Sequence, residues 1–218
     1  MAENGQGNFD GAIGDYTTVI KFRPKDATAY FNRGLANFLK GDLGQAEADF
    51  TKAIELKPND PALYLHRGLT WDGMNNQEGA VADYTKAFEL TPGADNEATN
   101  YAVLYRGLDL RARGAGTDLQ LGNAENWKNT WSRTLATFLN HKLSESDLLK
   151  RAGADVSDDR EKSRERSQAN YFAGRLRLQD GDNDGARKSF AAALQNESPS
   201  EVESRVAQQA MGNIPAAH

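Results

Sequence analysis

The chain has 218 residues, 26% of them charged, with a net charge of −5 and no cysteine. That length suits one or two ordinary domains or one elongated array, and the missing cysteines remove disulfides, zinc–thiolate sites and thiol nucleophiles. Dispersed, mildly acidic charge argues against a nucleic-acid surface; no apolar run reaches the roughly 18–20 residues of a membrane helix, and residues 1–12 lack the basic start and apolar stretch of a signal peptide.

Taken in order, three stretches repeat: GNFDGAIGDYTTVIKFRPKD (7–26), GDLGQAEADFTKAIELKPND (41–60) and NNQEGAVADYTKAFELTPGA (75–94). An offset of 34 residues relates Pro24, Pro58 and Pro92, and likewise Ala12, Ala46 and Ala80, Tyr16, Phe50 and Tyr84, and Asp15, Asp49 and Asp83. A fixed period of this length signals stacked supersecondary units. Within one copy, Tyr30, Arg33, Gly34 and Phe38 mark a first helix, and Ala46, Phe50, Ala53 and Ile54 a second. Gly41-Asp42 separates them, and Lys57-Pro58-Asn59-Asp60 stops the second, because proline cannot continue the hydrogen-bond ladder. Gly34, Gly68, Ala46 and Ala80 are expected where two helices cross closely, and each unit buries its apolar face only against its neighbours.

Tyr30-x-x-Arg33-Gly34, Ala46-x-x-x-Phe50-x-x-Ala53 and Pro58 resemble the tetratricopeptide repeat (TPR), over residues 7–94. The resemblance implies an all-α chain, a right-handed α-solenoid of helix-turn-helix repeats with an irregular central segment and a C-terminal capping helix. Residues 1–94 are then a truncated first repeat and two full ones, 95–153 an irregular segment, and 154–218 a final repeat and capping helix, in one continuous superhelix. Counting back one period from Tyr30 places its counterpart before Met1, so the first helix of the first repeat is expected to be largely missing. The face bearing Ala12 and Tyr16 is then expected to be partly bare, to be covered by another copy, a partner or a further segment, with any self-association weak.

In residues 95–153, Arg106-Gly107 and Gly114 echo Arg33-Gly34 and Gly41, but the period is broken. Trp127, Trp131, Leu135 and Phe138 form one apolar stripe, expected in a helical core, and Ser144-x-x-Asp147 resembles a capping signal. The run DDREKSRERSQ suggests a solvated face with Asp158 spaced to reach Lys162. The repeat returns as NYFAGRLRLQDGDNDGARKSFAAAL, with Gly174, Gly181, Ala186, Phe190 and Ala193 in register, and Ser198-Pro199-Ser200-Glu201 predicts the start of a last helix ending near Gly212. This order over residues 95–211 is similar to the bacterial NlpI-type TPR lipoproteins. That resemblance implies an adaptor bringing envelope proteases or cell-wall hydrolases to their substrates, and a periplasmic or envelope location; without it the chain fits the cytosol. The anchoring cysteine of such lipoproteins is absent, so anchoring does not carry over.

The TPR resemblance also implies a concave groove lined by first helices, with Phe31, Asn32, Leu35, Phe38, Leu65, His66 and Leu69 facing a peptide or amphipathic helix of a protein partner. A carboxylate clamp is incomplete: Asn32 fits, but His66, Thr28 and Ala62 stand where Asn and Lys are wanted. Arg33, Arg67 and Arg106 are expected to pair with Asp15, Asp49 and Asp83 respectively, as a structural staple between repeats. Asp180-x-Asp182-x-Asp184-Gly185 begins like a calcium loop but has Ala191 in place of the bidentate glutamate. His66, His141 and His218 form no metal or triad spacing. No cofactor, metal, nucleic acid or catalytic role is expected; the reading is a binding scaffold, with a self-association module as the alternative.

Overall fold

The computed structural model describes residues 8–91, 96–112, 124, 127–195 and 201–214. Regular structure among them is helical throughout: α1 (Phe9–Phe22), α2 (Ala27–Lys40), α3 (Leu43–Leu56), α4 (Pro61–Gly73), α5 (Gln77–Glu89), α6 (Glu97–Ala112), α7 (Thr130–Leu139), α8 (Glu145–Arg151), α9 (Asp159–Gln179), α10 (Asn183–Leu194) and α11 (Glu201–Gly212). None is long and apolar enough to cross a membrane. The chain divides into two compact units, one running to Thr91 and the other beginning at Pro92. The echo at Gly114 and residues 198–200 of the capping signal fall outside the described residues, but the last helix runs from Glu201 to Gly212 as that signal predicts.

The repeat sets the helix ends chemically. Asp26 caps α2 by accepting from the Thr28 and Ala29 amides, and Asp60, one period later, caps α4 through Ala62 with Pro61 at the first helical position. An N-cap carboxylate satisfies backbone donors that lack an intrahelical partner, and proline there sacrifices no hydrogen bond. The tight turn after each first helix needs a left-handed residue. Gly41 supplies it at φ 101°, Gly181 at φ 80°, and Asn75, exactly one period after Gly41, at φ 59°; asparagine is among the few other residues that visit this region readily.

In the first unit, α1 to α5 stack in chain order, each against the next. A Cβ on Gly34 would lie 3.0 Å from the Phe50 ring, and one on Gly68 only 2.5 Å from Tyr84. The expectation of close crossings at these glycines therefore holds: α2 lies against α3, and α4 against α5, with the aromatic ring seated on the glycine. Ala46, Phe50 and Ala53, and Ala80, Tyr84 and Ala87, are fully buried.

The second unit reuses the device once: a Cβ on Gly174 would meet the Phe190 ring at 2.7 Å, joining α9 to α10. Tyr105, Tyr171, Phe172 and Phe190 form an aromatic cluster beside this crossing. Trp127, Trp131, Leu135 and Phe138 are all buried, as expected of core. Trp127 lies before α7, however, not on it: Asn129 caps that helix at Thr130 by accepting from the Ser132 amide. Ser144 caps α8 as its spacing predicts, accepting from the Asp147 amide at 3.1 Å.

The charged run at the start of α9 departs from expectation. Asp158 is the N-cap and accepts from the Glu161 amide, so Lys162 turns to Asp159 at 2.9 Å. Glu165 is not solvated: it is buried and accepts from the Gly153 amide at 2.7 Å. Asp182, in the calcium-like stretch, caps α10 through the Gly185 amide.

Candidate functional site

The recurrent Arg–Asp staple joins the two helices of one repeat, not successive repeats. Arg33 on α2 donates to Asp49 on α3 through Nε (2.9 Å) and Nη2 (2.6 Å), and Arg67 on α4 does the same to Asp83 on α5 at 2.7 and 2.8 Å. The expected partners, Asp15 for Arg33 and Asp49 for Arg67, are wrong. Asp83, expected to serve Arg106, is held by Arg67. The reason is proximity: Gly34 brings the α2 backbone so close to α3 that its missing Cβ would sit 3.1 Å from Asp49 Cβ, placing the neighbouring Arg33 over that carboxylate. Each arginine still reaches the preceding repeat with its spare arm, Nη1, to Thr17 Oγ1 (3.1 Å) and Thr51 Oγ1 (2.9 Å). Charged hydrogen bonds to the aspartates, the largest cause, hold both guanidinium groups further above neutrality than usual. Buried Asn37 adds a third donor to Asp49 at 3.2 Å, a contact the period does not signal.

Without that arginine, the last repeat uses other pairs. Arg175 donates to Asp109 (2.9 Å) and Tyr171 (2.8 Å) in the interior, and Arg177 grips Glu145 at 3.0 and 2.8 Å.

The seven residues expected to line a groove separate into two sets. Phe31, Asn32, Leu35 and His66 are half-buried and retain accessible surface. Phe38 (1% exposed), Leu65 (7%) and Leu69 (4%) are buried and offer a ligand little. Helical spacing assigns a face but not whether a neighbour covers it, and these three fall on the covered side. Phe31 and His66 meet edge to face with centroids 5.0 Å apart, and both contact the Phe50 ring at 5.8 and 5.9 Å. His66 Nδ1 lies 2.8 Å from the Ala62 carbonyl. A carbonyl only accepts, so Nδ1 carries the proton and Nε2 is the open nitrogen. Burial, the largest influence, pushes the imidazole below its ordinary pKa, against smaller opposing pulls from that carbonyl and Asp60.

Beside this aromatic group is a pocket of about 160 Å³ between the N-terminal ends of α2 and α4. Ala27, Phe31, Ala62 and Leu63 form its apolar lining, and Thr28, Lys57 and Asp60 supply its polar atoms. It is smaller than the roughly 300–1,000 Å³ of small-molecule sites. Thr28 and Lys57 are exposed, whereas Asp60 is committed to capping α4. In the sequence pattern Thr28 and Ala62 stand out only as positions without the lysines of a carboxylate clamp. Their shared register, one period apart at the start of successive first helices, is the signal that places them together.

Residues 2–61 match the tetratricopeptide repeat family. No curated protein sequence is significantly similar. Among solved structures, a tetratricopeptide repeat protein from Parabacteroides merdae is 16% identical, with TM-score 0.58 over 94% of this chain and 79% of that one. MamA is 18% identical with TM-score 0.47, over 88% of this chain and 90% of that one. YrrB, described as a TPR protein with an unusual peptide-binding site, is 16% identical with TM-score 0.45, over 92% and 84%. The helix pairs, their glycine crossings and the likeness to the Parabacteroides merdae protein agree: the fold of this chain is that of tetratricopeptide helix pairs, and the repeat family itself is matched over residues 2–61.

Proposed function

We propose that the chain is a protein–protein interaction scaffold that seats an apolar side chain of a partner peptide or helix between the N-terminal ends of α2 and α4. The observation that carries this is the pocket: its volume suits one side chain, its walls are apolar, and Lys57 stands exposed at it without an ion-pair partner among the described residues. Phe31 gives an aromatic wall, and aromatic residues contribute heavily to binding hot spots. The role is binding without catalysis. A narrower reading, an adaptor that brings a protease or cell-wall hydrolase to its substrate in the bacterial envelope, rests on the sequence resemblance of residues 95–211 alone.

Selection of displayed peptides on the immobilised full chain tests the pocket. Selected peptides are expected to share an apolar anchor and to lose affinity for Thr28→Arg, which plugs the pocket from an exposed position. Peptides that bind the wild type and Thr28→Arg equally overturn the proposal.

A further inference from the structure

Within each complete helix pair of the first unit, the second helix gives its first helix three things. Phe50 or Tyr84 rests on a glycine, Ala46 or Ala80 lies fully buried, and Asp49 or Asp83, each 5% exposed, accepts from two nitrogens of an arginine. In the register of those residues, α1 carries Ala12, Asp15 and Tyr16. Yet α1 has no buried residue at all. Ala12, Tyr16 and Val19 are half-exposed, Asp15 is exposed with no partner among the described residues, and Phe22 at the end of the stripe is 77% exposed. The half of the contact facing α2 is made, since Thr17 accepts from Arg33; the half a first helix would fill is open.

We propose that this open face of α1 is a docking site for a helix of another polypeptide that carries an Arg-Gly pair in the manner of α2 and α4. The chemistry selects the occupant. Tyr16 can seat only where the facing helix has no Cβ, because even one added carbon at Gly34 or Gly68 would approach the ring to 3.0 or 2.5 Å. The arginine beside that glycine then falls over Asp15, as Arg33 falls over Asp49. A second copy docking through the same face would set Asp15 against Asp15 around a two-fold axis, and like charges so placed repel. The proposal does not depend on the pocket between α2 and α4.

The test uses a labelled peptide of residues 27–40, ATAYFNRGLANFLK, titrated against the full chain by fluorescence anisotropy. Saturable binding is expected, weakened at least about tenfold by Asp15→Ala in the chain, the loss typical of a charged hydrogen-bonded pair. Arg33→Ala or Gly34→Leu in the peptide should weaken it similarly, Asp15→Arg with Arg33→Asp in the peptide should recover it, and Thr28→Arg should leave it unchanged. Because short isolated helices form poorly in water, the same helix is also placed in cis: residues 27–41 joined directly before Asn8 should raise the denaturation midpoint, and Asp15→Ala should remove the gain. Neither binding nor stabilisation, or effects indifferent to Asp15, would overturn the proposal. So would a dimer in sedimentation equilibrium that Tyr16→Lys dissociates, because the face would then belong to a second copy.

Discussion

Arg67 holds Asp83 through two hydrogen bonds, 2.7 and 2.8 Å long, and reaches back to Thr51 of the preceding helix with its remaining arm. One side chain thus closes its own helix pair and ties it to the previous one. Removing either charge strands the other in a largely buried place. Asp83→Ala should cost about 3 kcal/mol, toward the lower end of the 3–5 kcal/mol of a fully buried pair because Arg67 keeps some exposure. Arg67→Ala should cost a similar amount, and the double variant clearly less than their sum. Urea denaturation of the four proteins gives the coupling. Additive midpoints at unchanged slope would reject the pair, and a coupling between Arg67 and Asp49 instead would restore the cross-repeat pairing.

Thr51→Val tests the smaller, inter-repeat contact. The hydroxyl accepts from Arg67 and donates to Glu47 Oε1 at 2.8 Å, so its loss removes two partly exposed hydrogen bonds and should cost about 1–2 kcal/mol. A loss as large as that of Asp83→Ala would shift the staple's weight to the repeat boundary.

Two glycines in helices should respond to alanine with opposite signs. Alanine ordinarily stabilises a helix interior over glycine by roughly 0.5–1 kcal/mol. Gly14 has open space around its would-be Cβ, so Gly14→Ala should raise stability by about that amount. At Gly68 the added carbon would come within 2.5 Å of Tyr84, and overpacking of this sort costs about 1–3 kcal/mol. Thermal melts of both variants against the wild type check the sign. A stabilising Gly68→Ala would mean that the Tyr84 ring moves aside freely.

The repeat made much of this legible from sequence. Period and helical spacing located the two-helix units, and the glycine and alanine positions located their crossings, because such features are set by short-range sterics. Pairing Arg33, Arg67 and Arg106 with Asp15, Asp49 and Asp83 leaves none of the six charges over, but the structure leaves Asp15 exposed and without a partner among the described residues, so the series does not close at the first helix. The groove was half legible for a related reason. Register puts Phe31 and Leu65 on equivalent faces, but only the three-dimensional neighbours leave Phe31 half-exposed and cover Leu65. In the second unit the pairs Arg175–Asp109 and Arg177–Glu145 join residues 66 and 32 positions apart, and no period relates them.

Leu65→Glu tests the burial of a residue that the repeat register assigns to the groove. A carboxylate forced into a buried, apolar site must be neutralised or drag water in, at a cost of several kcal/mol. The variant should lose stability outright, whereas Thr28→Arg, on an exposed position at the pocket, should melt within about 0.5 kcal/mol of the wild type. Circular dichroism melts separate the two. Equal, unperturbed melts would show Leu65 to be far more accessible than its 7% exposure indicates.

His66 should make the fold weaken as pH falls below neutral. Its ring meets Phe31 edge to face and gives its Nδ1 proton to the Ala62 carbonyl, and burial holds its pKa below the ordinary value of about 6.5. The unfolded chain therefore takes up a proton at this residue at a higher pH than the folded chain does. Stability then rises with pH across the interval between the two pKa values. Read downward, His66 contributes its full share above about pH 7 and progressively loses it as pH drops through the unfolded value toward the folded one. Glu165 acts with the opposite sign. Burial raises its pKa, so its contribution is complete below about pH 4.5 and is lost as pH rises through its folded value. The clean quantity is the difference in denaturation midpoint between the wild type and His66→Asn, measured from pH 7.5 to 5, since every other titrating group cancels in it. That difference should shrink steadily toward pH 5, because only the wild type loses stability by protonating at residue 66. A difference that stays flat would mean that the charged ring is tolerated in place, and one that grows toward acid would mean that Asp60 outweighs burial.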